Sequence, residues 1–300
     1  MQLLETLTID KPWLDYSSLV MLMSCPRKYY WKVVKEISSS EEPAALINGE
    51  AYHEAKATYL KLKKAGIGSH SEWKDKALES MIPIMAQITS EDPKRNLTVA
   101  FSTMNNYFDF WRDEPYEVIE VEVKFAVDMI SFVFVGRIDS IKRHPSFGKL
   151  VEETKTTTVV GKRWENRVKP NLQLDGYYSA MYILTGEVYG GGILDIIPVD
   201  EKLKQPPLRF ITPRTLEDVK DWTSNIQEWW ITLSRYKESG IFPQNTETCY
   251  PILGYNCEYT TLCGMYPHPY SMDEIEIPGE YHISSWAPFS DLRKIERRKD

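Results

Sequence analysis

The sequence predicts an α/β (α+β) fold in which a central mixed sheet is flanked by helices. Two observations carry this. Apolar residues recur at helical spacing through the first third, and from residue 118 they alternate with a period of two. Strand-like and helix-like stretches then follow one another to about residue 237. With 42% hydrophobic residues, including 9 Trp, 18 Tyr and 10 Phe, the 300 residues can build a large core. One domain over 1–300 is expected: a helical N-terminal part (1–115), a core (116–238) and a cysteine-rich C-terminal region (239–300).

The elements read in order as follows. Ser17-Ser18 are placed to cap a helix running to about Val34, with Leu19, Leu22 and Met23 on one face. Ser38 to Pro43 is polar and acidic and reads as a linker. A helix follows from about Ala45 to Lys64, stopped by Ala65-Gly66-Ile67-Gly68. Two more helices are expected near 71–90 and 96–112. Val118, Glu120, Glu122 and Lys124 then alternate with Ile119, Val121, Val123 and Phe125 in a strand. Phe132-Val133-Phe134-Val135 opens a second strand, with Asp128-Met129-Ile130 as the turn between them. A third covers about Lys149 to Thr156. Asn171 to Leu184 reads as an amphipathic helix closed by Gly186. Gly190 to Val199 and Leu208 to Ile211 read as strands, and Thr215 to Lys237 as a long helix. From Gly240 onward the chain is loop-like.

No apolar run approaches the roughly 18 residues that cross a bilayer, so no membrane partner is expected. The first residues lack the cationic and apolar segments of a secretory signal, and a cytoplasmic protein is expected. In a reducing compartment the four cysteines fit thiolate ligands better than disulfides. A net charge of −7 argues mildly against bulk nucleic-acid binding but does not decide the matter, because an enzyme can concentrate its cations locally. Lys162, Arg163, Arg167 and Lys169 sit together in one short segment with Trp164 among them, which reads equally as an arm that grips phosphates and stacks Trp164 on an unpaired base and as a solvated loop with a half-buried Trp164. Arg27, Lys28 and Lys32 are candidates to extend that groove, and the tail from Arg293 to Lys299 is also basic.

The chemistry-bearing segment is Gly136-Arg137-Ile138-Asp139 followed by Glu153-Thr154-Lys155. Glu153 and Lys155 are two apart on a predicted strand and share a face, and Asp139 reaches the same point if its strand pairs with theirs. Hard carboxylate oxygens suit Mg²⁺ or Mn²⁺, and an ammonium beside them suits charge developing on a phosphate. Read alone, Glu-x-Lys is far more often a solvent-facing stripe on an edge strand than a site.

The order Gly49-x-x-x-His53, Gly136-x-x-Asp139, Glu153-x-Lys155 and Gln173-x-x-x-Tyr177 resembles the RecB-like branch of the PD-(D/E)XK nucleases. The resemblance runs from about Ser17 to Cys263 and implies a restriction-endonuclease-like core. It implies His53, Asp139, Glu153 and the Thr154 carbonyl as metal ligands, Asp139, Glu153 and Lys155 as the catalytic set, and Gln173 and Tyr177 as DNA-positioning residues. Cys25 with Cys249-x7-Cys257-x5-Cys263 resembles the split motif of the iron–sulfur members, such as CRISPR-adaptation and AddB-type nuclease domains, and implies a [4Fe–4S] staple. Many relatives have two residues between the second and third cysteines where this chain has seven, so zinc and free thiols stay open.

The function this implies is a divalent-metal-dependent deoxyribonuclease. Exonuclease action on DNA ends is expected, with single strands favoured, in recombination, repair or replication. A stand-alone chain without a Gly-x-x-x-x-Gly-Lys-Ser/Thr motif suits a phage or mobile-element factor in a bacterial or infected-cell cytosol, with recombination or replication proteins as partners. The alternatives are a catalytically silent DNA-binding or scaffold protein of the same fold and a metal-free structural protein with buried cysteines.

Overall fold

Side-chain caps at Asp15, Ser69, Asn96 and Asn171 and left-handed stops at Gly66 and Gly186 set helix boundaries in the computed structural model, which describes residues 11–41, 43–89, 92–162, 164–200, 204–250, 256–271 and 275–286. In chain order, β1 (Trp13–Asp15) leads into α1 (Tyr16–Ser24), α2 (Pro26–Tyr29), a π-helical turn (Tyr30–Val34) and β2 (Ile37–Ser39). Next come α3 (Ala44–Ala65), α4 (His70–Met85), α5 (Leu97–Phe110), β3 (Glu117–Asp128), β4 (Val133–His144) and β5 (Gly148–Thr157). The chain continues through α6 (Leu172–Thr185), β6 (Gly191–Pro198), β7 (Leu208–Thr212), α7 (Leu216–Ser239), α8 (Thr260–Met265) and β8 (Tyr281–Ile283). No helix of the described residues is long and apolar enough to cross a membrane.

Three readings of the first forty residues need correction. The N-cap is Asp15, not Ser17-Ser18: its Oδ1 accepts from Ser17 N at 2.8 Å and Ser18 N at 3.1 Å. The helix does not run through to Val34. Pro26 drives the residue before it out of the helical region, and Cys25 is extended at φ −159° and ψ 105°. Cys25 therefore stands at a break between two helices. The polar segment starting at Ser38 is in part a strand, since Ile37–Ser39 pairs antiparallel with Tyr281–Ile283.

The chain forms two compact units made of discontinuous segments. The first comprises Pro43–Phe125 and Arg137–Trp222. Within it β4 and β5 pair antiparallel, β5 and β6 parallel, and β6 and β7 antiparallel. This is the expected mixed sheet with helices against it. Side chains alternate along β5, so Thr154 and Thr156 face α3 while Lys155 faces α6. β6 is buried along its whole length, as a strand covered on both faces must be. The start of β6 also needs glycine. Gly191 has φ +136°, and a Cβ there would lie 2.1 Å from the Thr212 carbonyl oxygen. On α3, Ala51, Tyr52, Ala55, Tyr59 and Leu60 build a core with Ala77, Met81 and Met85 of α4 and Ala100, Met104 and Phe108 of α5. Gly66 closes α3 at φ +64°, as its position past the last periodic residue predicts.

The second unit comprises the described residues of Gln2–Glu42, Ala126–Gly136 and Thr223–Asp300. Here β1 runs parallel to the start of β4, with Trp13 opposite Val133 and Asp15 opposite Val135. Its core is largely aromatic: Phe132 stacks on Trp230, Tyr30 tilts against Phe242, and Tyr259 stacks on Tyr281. Its two chain ends are tied by a buried arginine. Arg27 Nε donates to the Phe242 carbonyl at 3.0 Å, and its guanidinium lies 4.8 Å from the Tyr270 ring centroid.

Candidate active site

Strand pairing builds the site. Ser140 is in register with Glu152, so one step further along the antiparallel pair Asp139 stands opposite Glu153 and on the same face. The Thr154 backbone N–H donates to Asp139 Oδ2 at 2.7 Å, fixing that carboxylate across the two strands. The same oxygen lies 3.4 Å from His53 Nδ1 on α3. Glu153 is 2% exposed and pairs with the Lys155 ammonium. Lys155 also donates to Gln173 Oε1 at 2.8 Å, and Gln173 Nε2 donates to the Tyr177 hydroxyl at 2.8 Å. Gln173 and Tyr177 are one turn apart on α6, whose start is capped by Asn171 accepting from Leu174 N. The five residues named from the sequence for metal and chemistry, and the two named for positioning DNA, are thus brought together within the first unit.

The two carboxyls are driven apart electrostatically. Burial opposes ionisation of Asp139, but His53, Lys56 and the Thr154 N–H outweigh it and hold the carboxyl down at about 2. Glu153 goes the other way, raised by burial and by the Asp139 charge in spite of Lys155. Burial lowers His53, yet Asp139 and Glu153 more than offset that and raise it. Glu122 on β3 is raised by burial, with Asp139 adding to the effect, and pairs with Arg137 at 2.9 Å. It borders the site.

One polar atom here bears on cofactor chemistry. Glu153 Oε2 is buried with no hydrogen-bond partner. An orphaned carboxylate oxygen is costly, and a cation shared with Asp139 would relieve both that cost and the repulsion between the two groups. As placed, Lys155 takes one oxygen of Glu153 and His53 faces one of Asp139. No three His, Cys, Asp or Glu side chains among the described residues form a ready metal cage. The donors present nonetheless fit a hard divalent ion: two carboxylates, an imidazole and the Thr154 carbonyl.

The basic loop departs from expectation. Trp164 is only 7% exposed, its indole N–H donates to the Val159 carbonyl at 3.1 Å, and the Arg167 guanidinium lies 5.4 Å from its ring centroid. It anchors the loop in place of offering a free face to a base. Lys162 and Arg167 are exposed, and Lys169 pairs with Asp218. Arg163 and the basic tail lie outside the described residues. Arg27, Lys28 and Lys32 belong to the second unit, and each has a partner there. Arg27 is buried against carbonyls, Lys28 pairs with Glu258 at 3.0 Å, and Lys32 bonds Ser38 at 2.8 Å, all within the second unit.

The cysteines converge within the second unit. Asn245 N donates to Cys25 Sγ at 3.4 Å, and Cys249 Sγ lies 3.7 Å from the Asn245 carbonyl oxygen. Cys257 N donates to the Cys249 carbonyl at 2.9 Å, and Trp31 Nε1 donates to Cys263 Sγ at 3.3 Å. All four thiols are free. Burial raises the thiols of Cys257 and Cys263, and neighbouring cysteines raise them further, so the sulfurs feel one another.

Sequence reasoning missed a second set of charges on the other face of the sheet. Lys142 reaches Glu152 at 3.0 Å and Glu114 at 3.6 Å, and Lys56 reaches Glu152 at 3.2 Å. Lys56 also pairs with Asp195, and Arg209 pairs with Glu114 and with Asp195. Tyr107 and Ser140 hydroxyls complete the set through Asp195 and Glu152. Three cations thus meet three carboxylates in the interior. Glu152 was the available signal: beside Glu153 on a strand it must face the opposite side, into apolar surroundings, where it needs a partner.

No curated protein matches the chain. Among solved structures it is similar to a protein from Eubacterium rectale described as a "putative exonuclease", with 14% sequence identity and a TM-score of 0.51, over 84% of this chain and 93% of that one. That likeness concerns the fold. Residues 14–264 match the PD-(D/E)XK nuclease superfamily, a span that contains the whole site described above. The chain belongs to the PD-(D/E)XK nuclease superfamily.

Proposed function

We propose that this chain is a Mg²⁺- or Mn²⁺-dependent deoxyribonuclease of the RecB-like branch that acts on DNA ends and favours single strands. The observation that supports it most is the buried Glu153, with an unpartnered oxygen and Lys155 alongside, on the same sheet face as a half-buried Asp139. A bound divalent ion supplies a Lewis acid for the phosphate and a lowered pKa for an attacking water. Asp139, Glu153, the Thr154 carbonyl and His53 are the residues to hold it. The Thr154 N–H keeps Asp139 aimed at that point before substrate arrives. Lys155, with a side chain 37% exposed beside a buried Glu153, is the group of this set a phosphate can reach. Its ammonium stabilises charge developing on phosphorus or orients the water, and Gln173 fixes where that ammonium points. Tyr177 holds Gln173 in turn. The Asp139, Glu153 and Lys155 set favours an enzyme over a scaffold, because DNA binding alone does not need a cation fixed beside those two carboxylates.

In the second unit the cysteine count and proximity support a [4Fe–4S] cluster, with zinc as the alternative, although as placed the four thiols do not form a ready metal cage. A metal held there would pin Cys25, at its break between α1 and α2, to the chain beyond Gly240. Its role would be structural. Anaerobically purified protein is expected to show a broad absorbance band at about 400 nm. Colourless protein carrying stoichiometric zinc would place zinc there, and colourless protein free of both metals would leave buried thiols.

The experiment on function is a time course with single- and double-stranded DNA labelled at either end. Metal-dependent loss of label, fastest on single strands and as short products from the outset, is expected. Internal fragments first would replace the end-directed reading with an endonuclease. Intact DNA with Mg²⁺ and with Mn²⁺ would remove the enzyme reading.

A further inference from the structure

We infer that Lys56 is a positioning residue for the metal site, acting through Thr154 from the face of the sheet opposite the catalytic carboxylates; this rests on the nuclease reading above. Thr154 is held from two directions. Its backbone N–H donates to Asp139 Oδ2 at 2.7 Å, and its hydroxyl accepts from Lys56 Nζ at 2.7 Å. It also sits between Glu153 and Lys155, so any shift of its backbone moves both groups. Lys56 lies on α3 one turn beyond His53, which faces Asp139 at 3.4 Å. Gly49, His53 and Lys56 share one helix face along β5, and a Cβ at Gly49 would lie 3.7 Å from Thr156 Oγ1. One ammonium thereby ties the helix carrying the imidazole to the strand carrying Glu153 and Lys155.

The Lys56 ammonium cannot swing to other tasks. It is 3% exposed and is also held by Asp195 and Glu152. Its carboxylate partners are fixed by Arg209 and Lys142. A fully buried ammonium with fixed counter-charges is a rigid peg, and Thr154 is its contact to the strand that carries the catalytic groups. Outer partners of metal ligands set the orientation of those ligands, and their loss typically costs about 10- to 100-fold in metal affinity or activity.

The test uses the full chain and Mn²⁺ as probe, with binding read by the electron paramagnetic resonance of free Mn²⁺ and unfolding read by circular dichroism. Thr154→Val removes the hydroxyl but keeps the backbone N–H and carbonyl, and it leaves Lys56 paired. Thr154→Ser restores the hydroxyl. Lys56→Met removes the peg itself. The expected result is a Mn²⁺ affinity about 10-fold weaker in Thr154→Val and near wild type in Thr154→Ser, with DNA affinity unmoved in both. If Thr154→Val keeps wild-type Mn²⁺ affinity while wild type binds Mn²⁺, the positioning role is overturned and the nuclease reading stands. If Thr154→Val only lowers the melting temperature, Lys56 is a structural charge and the inference is likewise overturned. If wild type itself binds no Mn²⁺, the metal-site reading fails first. Lys56→Met is informative where it folds: weaker Mn²⁺ binding supports the role and unchanged binding overturns it.

Discussion

Lys155→Ala is expected to lower DNA cleavage by about two to three orders of magnitude while leaving DNA affinity nearly unchanged. The ammonium meets Glu153 on one side and Gln173 on the other, and it is more exposed than either carboxylate of the set. Its loss removes a charge aimed at the reacting phosphate and leaves the surface that binds the rest of the strand. Lys155→Arg should not recover the rate, since a planar guanidinium does not reproduce a compact point charge or pass a proton. The check is initial rates at saturating DNA and Mn²⁺, with fluorescence anisotropy for binding. A variant within threefold of wild type would make the Lys155–Glu153 pair a structural contact.

The second large effect concerns stability. Asp195→Ala strands Lys56 and Arg209 in the interior, and truncating one partner of a buried charge pair costs about 3–5 kcal/mol. Thermal or urea unfolding measures it. Loss of less than about 1 kcal/mol would mean that the set relaxes without it, as exposed pairs do. The pH dependence has a definite sign. Burial disfavours ionisation of Asp195 and of Glu114, but Arg209, Lys56 and Lys142 around the first and Lys142, Arg209 and Lys63 around the second hold both carboxyls below their ordinary range. Groups with depressed folded values add stability that is present above the unfolded carboxylate range and is lost as pH falls through it. The melting temperature should therefore drop as pH falls below about 4, and more shallowly in Asp195→Asn.

Much of the sheet and most helices were legible because local rules set them. Period-two alternation marked β3, glycines past the last apolar turn marked the ends of α3 and α6, and Asn171 marked the start of α6. The site was legible for the same reason. Glu153 and Lys155 share a strand face, and one antiparallel neighbour suffices to place Asp139. What sequence could not supply was long-range pairing. Ser38 reads as linker because its strand partner at His282 is far along the chain. Trp164 reads equally as a stacking platform and as a half-buried loop residue until its indole N–H is seen to be taken by Val159. The interior ion set joins Lys56, Glu114, Lys142, Glu152, Asp195 and Arg209, residues spread over five elements and a connecting turn, and no spacing rule links them. The two-unit division cuts across the order of the chain, so composition along the sequence does not reveal it.

A crystal soaked in Mn²⁺ and measured for anomalous scattering addresses the core of the account most directly. A single strong peak bridging the Asp139 and Glu153 carboxylates, with the Thr154 carbonyl within ligand distance and Lys155 displaced from Glu153, is the predicted result. Carboxylates turned away from each other with no peak between them would contradict it.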